Sequence, residues 1–166
     1  MSDSVSDGFD YTPSSRVLID KQNPEVFKAQ LAVAKAVRNA TNEAGMDRRF
    51  VELVNVRISQ INRCAYCLDI HGGAALAAGE TTQRLAVLPA WRESSLFSER
   101  ERAALGLAES ITTLPDADRQ DHDYAIARKV LSDTEISAVS WVSVAMNAFN
   151  RISIVSRHRV RAHTSA

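Results

Sequence analysis

Both cysteines of the chain fall in the stretch NRCAYCLDIHGG, residues 62–73: Cys64 and Cys67 stand three residues apart, and His71 follows the second by four. On a helix turning about 100° per residue these positions share one face. A cysteine in the first turn of a helix feels unpaired backbone N–H groups and the positive end of the helix dipole, and both favour thiolate over thiol. A histidine one turn further on can take or supply the proton. Tyr66 falls on a different face, as a packing residue or a wall of the entrance. Three chemistries stay open for such a cluster: a redox pair, part of a zinc site, or two buried thiols beside a satisfied histidine.

Glu52 is the other residue out of place. It is the single carboxylate in FVELVNV, on a segment whose neighbours face inward. Desolvation of such a carboxyl raises its pKa, and the expectation is a base working near neutrality.

The elements that must hold these groups read as helices. Six glycines and four prolines in 166 residues are too few for a chain of short strands and frequent turns. Asn23-Pro24 reads as a cap followed by a first-turn proline, opening a helix that carries Phe27, Leu31, Ala34 and Val37 on one face and stops near Gly45. A second helix, from about Asp47, has Phe50, Leu53, Val54, Ile58 and Ile61 as its stripe, and the cysteine segment opens a third that ends at Gly79. Ser98 with Glu101, and Ser132 with Glu135, are spaced as capping boxes for two later helices, with a more exposed helix between them. The similarity of QINR and AFNR is too short to count as a repeat. The expected organisation is one all-helical domain over residues 21–160, with a flexible N-terminal segment, 1–20, and a short tail, 161–166.

Composition narrows the function classes. A chain of this length, 45% hydrophobic, buries roughly 70% of its unfolded surface in a single core. Twenty basic and twenty acidic residues cancel, which argues against nucleic acid or a membrane surface as the main partner. The arginines of SRHRVRAHTSA read as the cationic end of the last helix. No stretch approaches the ~18 uninterrupted apolar residues of a membrane span, and the polar, acidic start is unlike a secretory signal. The expected location is the cytoplasm, where a two-cysteine motif points to catalysis or metal rather than to a structural disulfide.

Glu52 twelve residues before Cys64, Cys-x-x-Cys, and His71 four residues after Cys67 together resemble the signature of the AhpD-like alkylhydroperoxidases within the carboxymuconolactone decarboxylase superfamily. The likeness runs on through ELVNVRISQINRCAYCLDIHGGAALAAGET, LPAWRES, SERERAALGLAESIT and NAFNRISI, covering residues from about 47 to 155. It implies an AhpD-like helical bundle that assembles into trimers or hexamers and reduces hydroperoxides. Carried over, Cys67 is the peroxidatic thiolate, Cys64 resolves its sulfenic acid as an intramolecular disulfide, and Glu52 with His71 forms the proton relay. No cofactor is implied as bound; an external dithiol, a lipoyl group or a reductant protein, restores the thiols. One position departs: those relatives carry a histidine directly before the second cysteine, and this chain has Tyr66.

Rival readings remain. Cys64, Cys67, His71 and Glu52 could supply four zinc ligands, but His122, His158 and His163 offer no second pair at structural-zinc spacing. A decarboxylase acting on a muconolactone is the enzyme alternative, and a non-catalytic thiol sensor is the alternative outside enzymes. These three histidines, with Trp91 and Trp141, read as surface or packing residues and carry no role. The last helix has a second apolar stripe, Trp141, Val144 and Ala148, beside its core stripe. A helix apolar over much of its circumference needs cover on several sides, and a neighbouring subunit is one source of it.

Overall fold

Local signals in the chain start and stop most of the helices. A computed structural model describes residues 16–162. They form α1 (Ile19–Gln22), α2 (Pro24–Glu43), α3 (Arg48–Ile61), α4 (Ala65–Ala77) and α5 (Thr82–Val87). A 3₁₀ turn (Leu88–Glu93) follows, and then α6 (Glu99–Thr113), α7 (Ala117–Arg128) and α8 (Asp133–Ser156). No strand occurs among the described residues, and no described helix is long and apolar enough to cross a membrane. Both expected capping boxes are formed, Ser98 with Glu101 and Ser132 with Glu135. Asp47 caps α3 by accepting from the Phe50 amide at 2.8 Å. Each such cap contributes about 1 kcal/mol. Asn23 makes no side-chain cap, so Pro24 alone marks the start of α2.

The core is the contact of α3 with α6 and α8, and α4 packs along α3. Val54 and Ile58 from α3, Ala104 and Leu107 from α6, and Val139 and Met146 from α8 are all buried in one cluster. Full burial of each larger aliphatic contributes about 1.5–3 kcal/mol. The exposed helix expected between the capping boxes is α7, which buries only Ala127.

The first long helix corrects the sequence reading. The stripe Phe27, Leu31, Ala34 and Val37 was expected to face the core, yet Leu31 is half exposed and Thr41 is the one fully buried residue of α2. The helix lies across α8, where Val37 packs against the edge of the main cluster and, with Ala34, lines a cavity. The expected N-terminal segment lies outside the described residues up to residue 15. Its last residues form α1, where the Ile19 amide donates to Ser156 Oγ at 3.1 Å and the Asp20 side chain is buried. His163 and the end of the tail also lie outside the described residues.

Candidate active site

The loop between α3 and α4 places the first cysteine. Asn62 closes α3, Arg63 takes a left-handed conformation with φ 56°, and Cys64 turns into α4. The Cys64 amide donates to Ser59 O at 3.0 Å and the Arg63 amide to Gln60 O at 3.2 Å. This 6→1 and 5→2 pair is a Schellman motif, and it uses an arginine where glycine is the usual left-handed residue. Cys64 is thus the N-cap of α4, just before its first turn, and Cys67 is the third residue of the helix.

Both thiols are buried, and their sulfurs lie 2.7 Å apart with Cys64 donating to Cys67. Burial, then the hydrogen bond to Cys67, push the Cys64 thiol up to about 11 despite an opposing bond from Asn150. The sequence reading expected the helix N-terminus to favour the thiolate across the pair. For Cys64 desolvation wins, and near neutral pH it is a thiol pointed at its partner's sulfur.

The carboxylate and the histidine come together as a pair. Glu52 Oε2 lies 2.6 Å from His71 Nδ1 and accepts from Asn55 Nδ2 at 3.2 Å, and its Oε1 accepts from Arg48 Nε at 2.5 Å. Burial works to raise the Glu52 carboxyl, but the hydrogen bond and charge of His71, then Asn55 and Arg48, outweigh it and hold it below its ordinary 4.5. The expected raised-pKa base is therefore corrected to an ionised carboxylate. Such a carboxylate fixes the ring and directs its other nitrogen, Nε2, outward as the working atom.

Two cavities meet at His71. One, of about 460 Å³, runs between α2, α3 and α8 and is lined by Val37, Val51, Glu52, His71, Met146 and Phe149 among others. The second, of about 290 Å³, contains Cys67, with Phe27, Tyr66, His71, Phe149 and His158 in its walls. Tyr66 is half-buried and forms one wall, against which the His158 ring stacks edge-on at 5.1 Å. Cys67 and His71 thus line one partly apolar space.

Two further sets of residues escaped the sequence reading. Asn150, fully buried, accepts from Asn62 Nδ2 at 2.8 Å and donates to Ser59 Oγ at 3.2 Å, behind Cys64. The signal for it was the pair QINR and AFNR, whose asparagines bond to each other. His158, assigned no role from sequence, holds buried Asp20 at 3.1 Å. No sequence spacing links residues 138 positions apart.

As a zinc site the cluster fits poorly. Two thiolates on one tetrahedral zinc, each about 2.3 Å from the metal, stand roughly 3.8 Å apart. These sulfurs are an ångström closer, and Glu52 is already engaged by three side chains. Among the described residues no group of three or more His, Cys, Asp or Glu is arranged to hold a metal ion.

Comparison with known proteins gives a consistent picture. The family described as the carboxymuconolactone decarboxylase family matches residues 24–110. YdfG, an uncharacterised protein of Bacillus subtilis (strain 168), is 34% identical over 146 residues, spanning 88% of this chain and 97% of its own length. YnjA, an uncharacterised protein of Escherichia coli (strain K12), is 36% identical over 63 residues, 38% of this chain and 35% of YnjA. A crystal structure from Agrobacterium tumefaciens superposes with a TM-score of 0.80 at 32% identity, covering 89% of this chain and 99% of that one. That protein is described as of unknown function and as a candidate antioxidant defence protein AhpD.

Proposed function

The chain belongs to the carboxymuconolactone decarboxylase family, with the AhpD-like helical fold, and on that footing we propose that it is a thiol peroxidase for organic hydroperoxides. The observation that carries this reading is the asymmetric thiol pair: a protonated Cys64 donating to Cys67, with Cys67 facing the cavity that also holds the carboxylate-bound His71.

In this mechanism His71 Nε2 takes the Cys67 proton, directly or through a water, while Glu52 holds Nδ1–H. The thiolate attacks the outer peroxide oxygen. An S–O bond forms, the O–O bond breaks, and the alkoxide leaves with the electron pair to be protonated to the alcohol. Cys67 is now a sulfenic acid. The Cys64 sulfur displaces its hydroxyl, the Cys64 proton leaves with it as water, and a disulfide closes. An external dithiol of lipoyl type restores both thiols by exchange. The protonated state of Cys64 suits the resolving role, since a thiol is a poor nucleophile toward peroxide and must be activated only in the second step.

Association of the chain into a trimer, or a hexamer built from two trimers, belongs to the same proposal. Trp141 and Val144 on α8 are 53% and 50% exposed, so most of the second stripe of that helix is left uncovered by the described residues.

The test is consumption of cumene hydroperoxide with dihydrolipoamide as reductant, comparing the wild type with Cys67→Ser. Turnover abolished by the substitution is the expected result. Oxidation of the thiols without turnover would instead indicate a sensor, and untouched thiols would overturn the redox reading altogether.

A further inference from the structure

A second carboxylate–histidine pair borders the Cys67 cavity, and the peroxidase mechanism leaves it unused. His158 follows the last turn of α8, and its position is fixed with the same device that fixes Cys64. Arg157 is left-handed at φ 50°, the His158 amide donates to Ser153 O at 3.1 Å, and the Arg157 amide donates to Ile154 O at 3.2 Å. The segment is also tied to α1. Ile19 bonds Ser156, and Asp20, with its side chain 4% exposed, holds His158 Nε2 at 3.1 Å. Burial works to raise the Asp20 carboxyl, but hydrogen bonds from Lys21 and His158 and the charges of both outweigh it, so Asp20 stays ionised. Nδ1 of His158 has no partner among the described residues. Asp20, His158, Tyr66, Cys67 and His71 all line the one cavity of about 290 Å³.

We propose that His158, oriented by Asp20, is the acid that protonates the departing oxygen of the hydroperoxide, while His71 serves as the base for the Cys67 thiol. The inference rests on the peroxidase reading and assigns its second proton transfer. When Cys67 attacks the outer oxygen, the electron pair of the broken O–O bond goes to the inner oxygen, and a proton delivered from His158 Nδ1 converts that alkoxide to alcohol. The sulfur is oxidised, the peroxide is reduced, and His158 regains its proton from solvent before the next turnover. Two histidines divide the work for a geometric reason. Each ring has one nitrogen held by a buried carboxylate, Glu52 from α3 for one and Asp20 from α1 for the other, so each presents a single nitrogen to a ligand. Tyr66, packed edge-on against His158, keeps that ring in place.

A clasp that merely joined the two ends of the fold would be indifferent to the chemistry of the leaving oxygen, and that difference is the test. The rate of Cys67 oxidation is measured in reduced full-length protein with tert-butyl hydroperoxide, which expels a strongly basic alkoxide, and with peracetic acid, which expels a weakly basic carboxylate. Alkylation by iodoacetamide, whose leaving group needs no proton, reports the thiolate alone. His158→Gln is expected to slow the tert-butyl hydroperoxide reaction about 10²-fold while peracetic acid and iodoacetamide rates stay within about threefold. Asp20→Asn should give the same pattern at smaller amplitude, and decides the matter if His158→Gln does not fold. Equal slowing of all three reagents, or no slowing of any, would overturn the assignment. A wild type whose Cys67 reacts with neither oxidant would overturn the peroxidase reading itself.

Discussion

At Glu52 and Cys64 the chemistry follows from which of two opposing effects is larger. Both are buried, and burial disfavours the charged form of each. Glu52 has three side-chain partners, two of them able to carry positive charge, and ionises; Cys64 has a second sulfur and an amide and does not. Replacing Glu52 with Gln keeps its shape but removes the charge that holds His71. Alkylation of Cys67 at pH 7 is expected to slow about tenfold with the helical circular dichroism intact, and an unchanged rate would remove Glu52 from the relay. Mapping of iodoacetamide adducts against pH should show Cys64 labelling rising only toward pH 11. Equal labelling of both at neutral pH would contradict the asymmetry.

Among the elements, α3 and α8 carry the site through their polar residues as much as their apolar ones. Ser59, Asn62 and Asn150 sit in the crossing of the two helices, and Asn62 reaches Asn147 as well, at 2.8 Å. In a core that excludes water, such a network fixes the register of one helix on the other, because a slide by one residue leaves each group unpaired. Asn150→Ala strands Ser59 Oγ without its donor and opens a small void beside Cys64. The expected loss is about 2–3 kcal/mol in urea unfolding at fixed protein concentration, with disulfide closure slowed because Asn62 and the Cys64 turn lose their brace. A loss below about 0.5 kcal/mol would show that the network is not a brace. The two left-handed arginines, Arg63 and Arg157, belong to this scale too: each ends a helix abruptly and turns the amide of the next residue, Cys64 or His158, back onto that helix.

For the whole molecule, uncovered apolar surface and buried carboxylates set the behaviour in solution. With Leu31 on α2 and Trp141 and Val144 on α8 all at least half exposed, light scattering at micromolar concentration is expected to give a trimer or hexamer mass. A mass near the 18.2 kDa of one chain would refute association. Asp20, Glu52, Glu101, Glu109 and Glu135 all ionise more readily folded than free, because hydrogen bonds and the charges of partners such as Arg84 on Glu101 exceed the burial that opposes them. A depressed folded pKa means that the unfolded chain binds protons first. Stability from these groups is therefore complete above the ordinary values of 3.8 to 4.5 and is lost as pH falls below them. Thermal unfolding should show a plateau through neutral pH and a decline starting near pH 4.5; stability that rises on acidification would contradict it.

The helices, and the meeting of Cys64 with Cys67, were legible in the sequence, because both are written in short-range patterns. Capping serines three residues ahead of a glutamate, an apolar stripe of period 3.6, and Cys-x-x-Cys followed by a histidine all act within a turn or two of backbone. The packing of Leu31 could not be read there, since an apolar stripe shows that a face seeks cover without showing what provides it. Nor could the pKa directions of Glu52 and Cys64, which depend on how many partners the fold brings to each. Asn62 with Asn150, and Asp20 with His158, lie 88 and 138 positions apart. Single polar residues carry no periodic signal, and only the crossing of α3 with α8 and the docking of α1 against the end of α8 turn them into a brace and a second carboxylate–histidine pair.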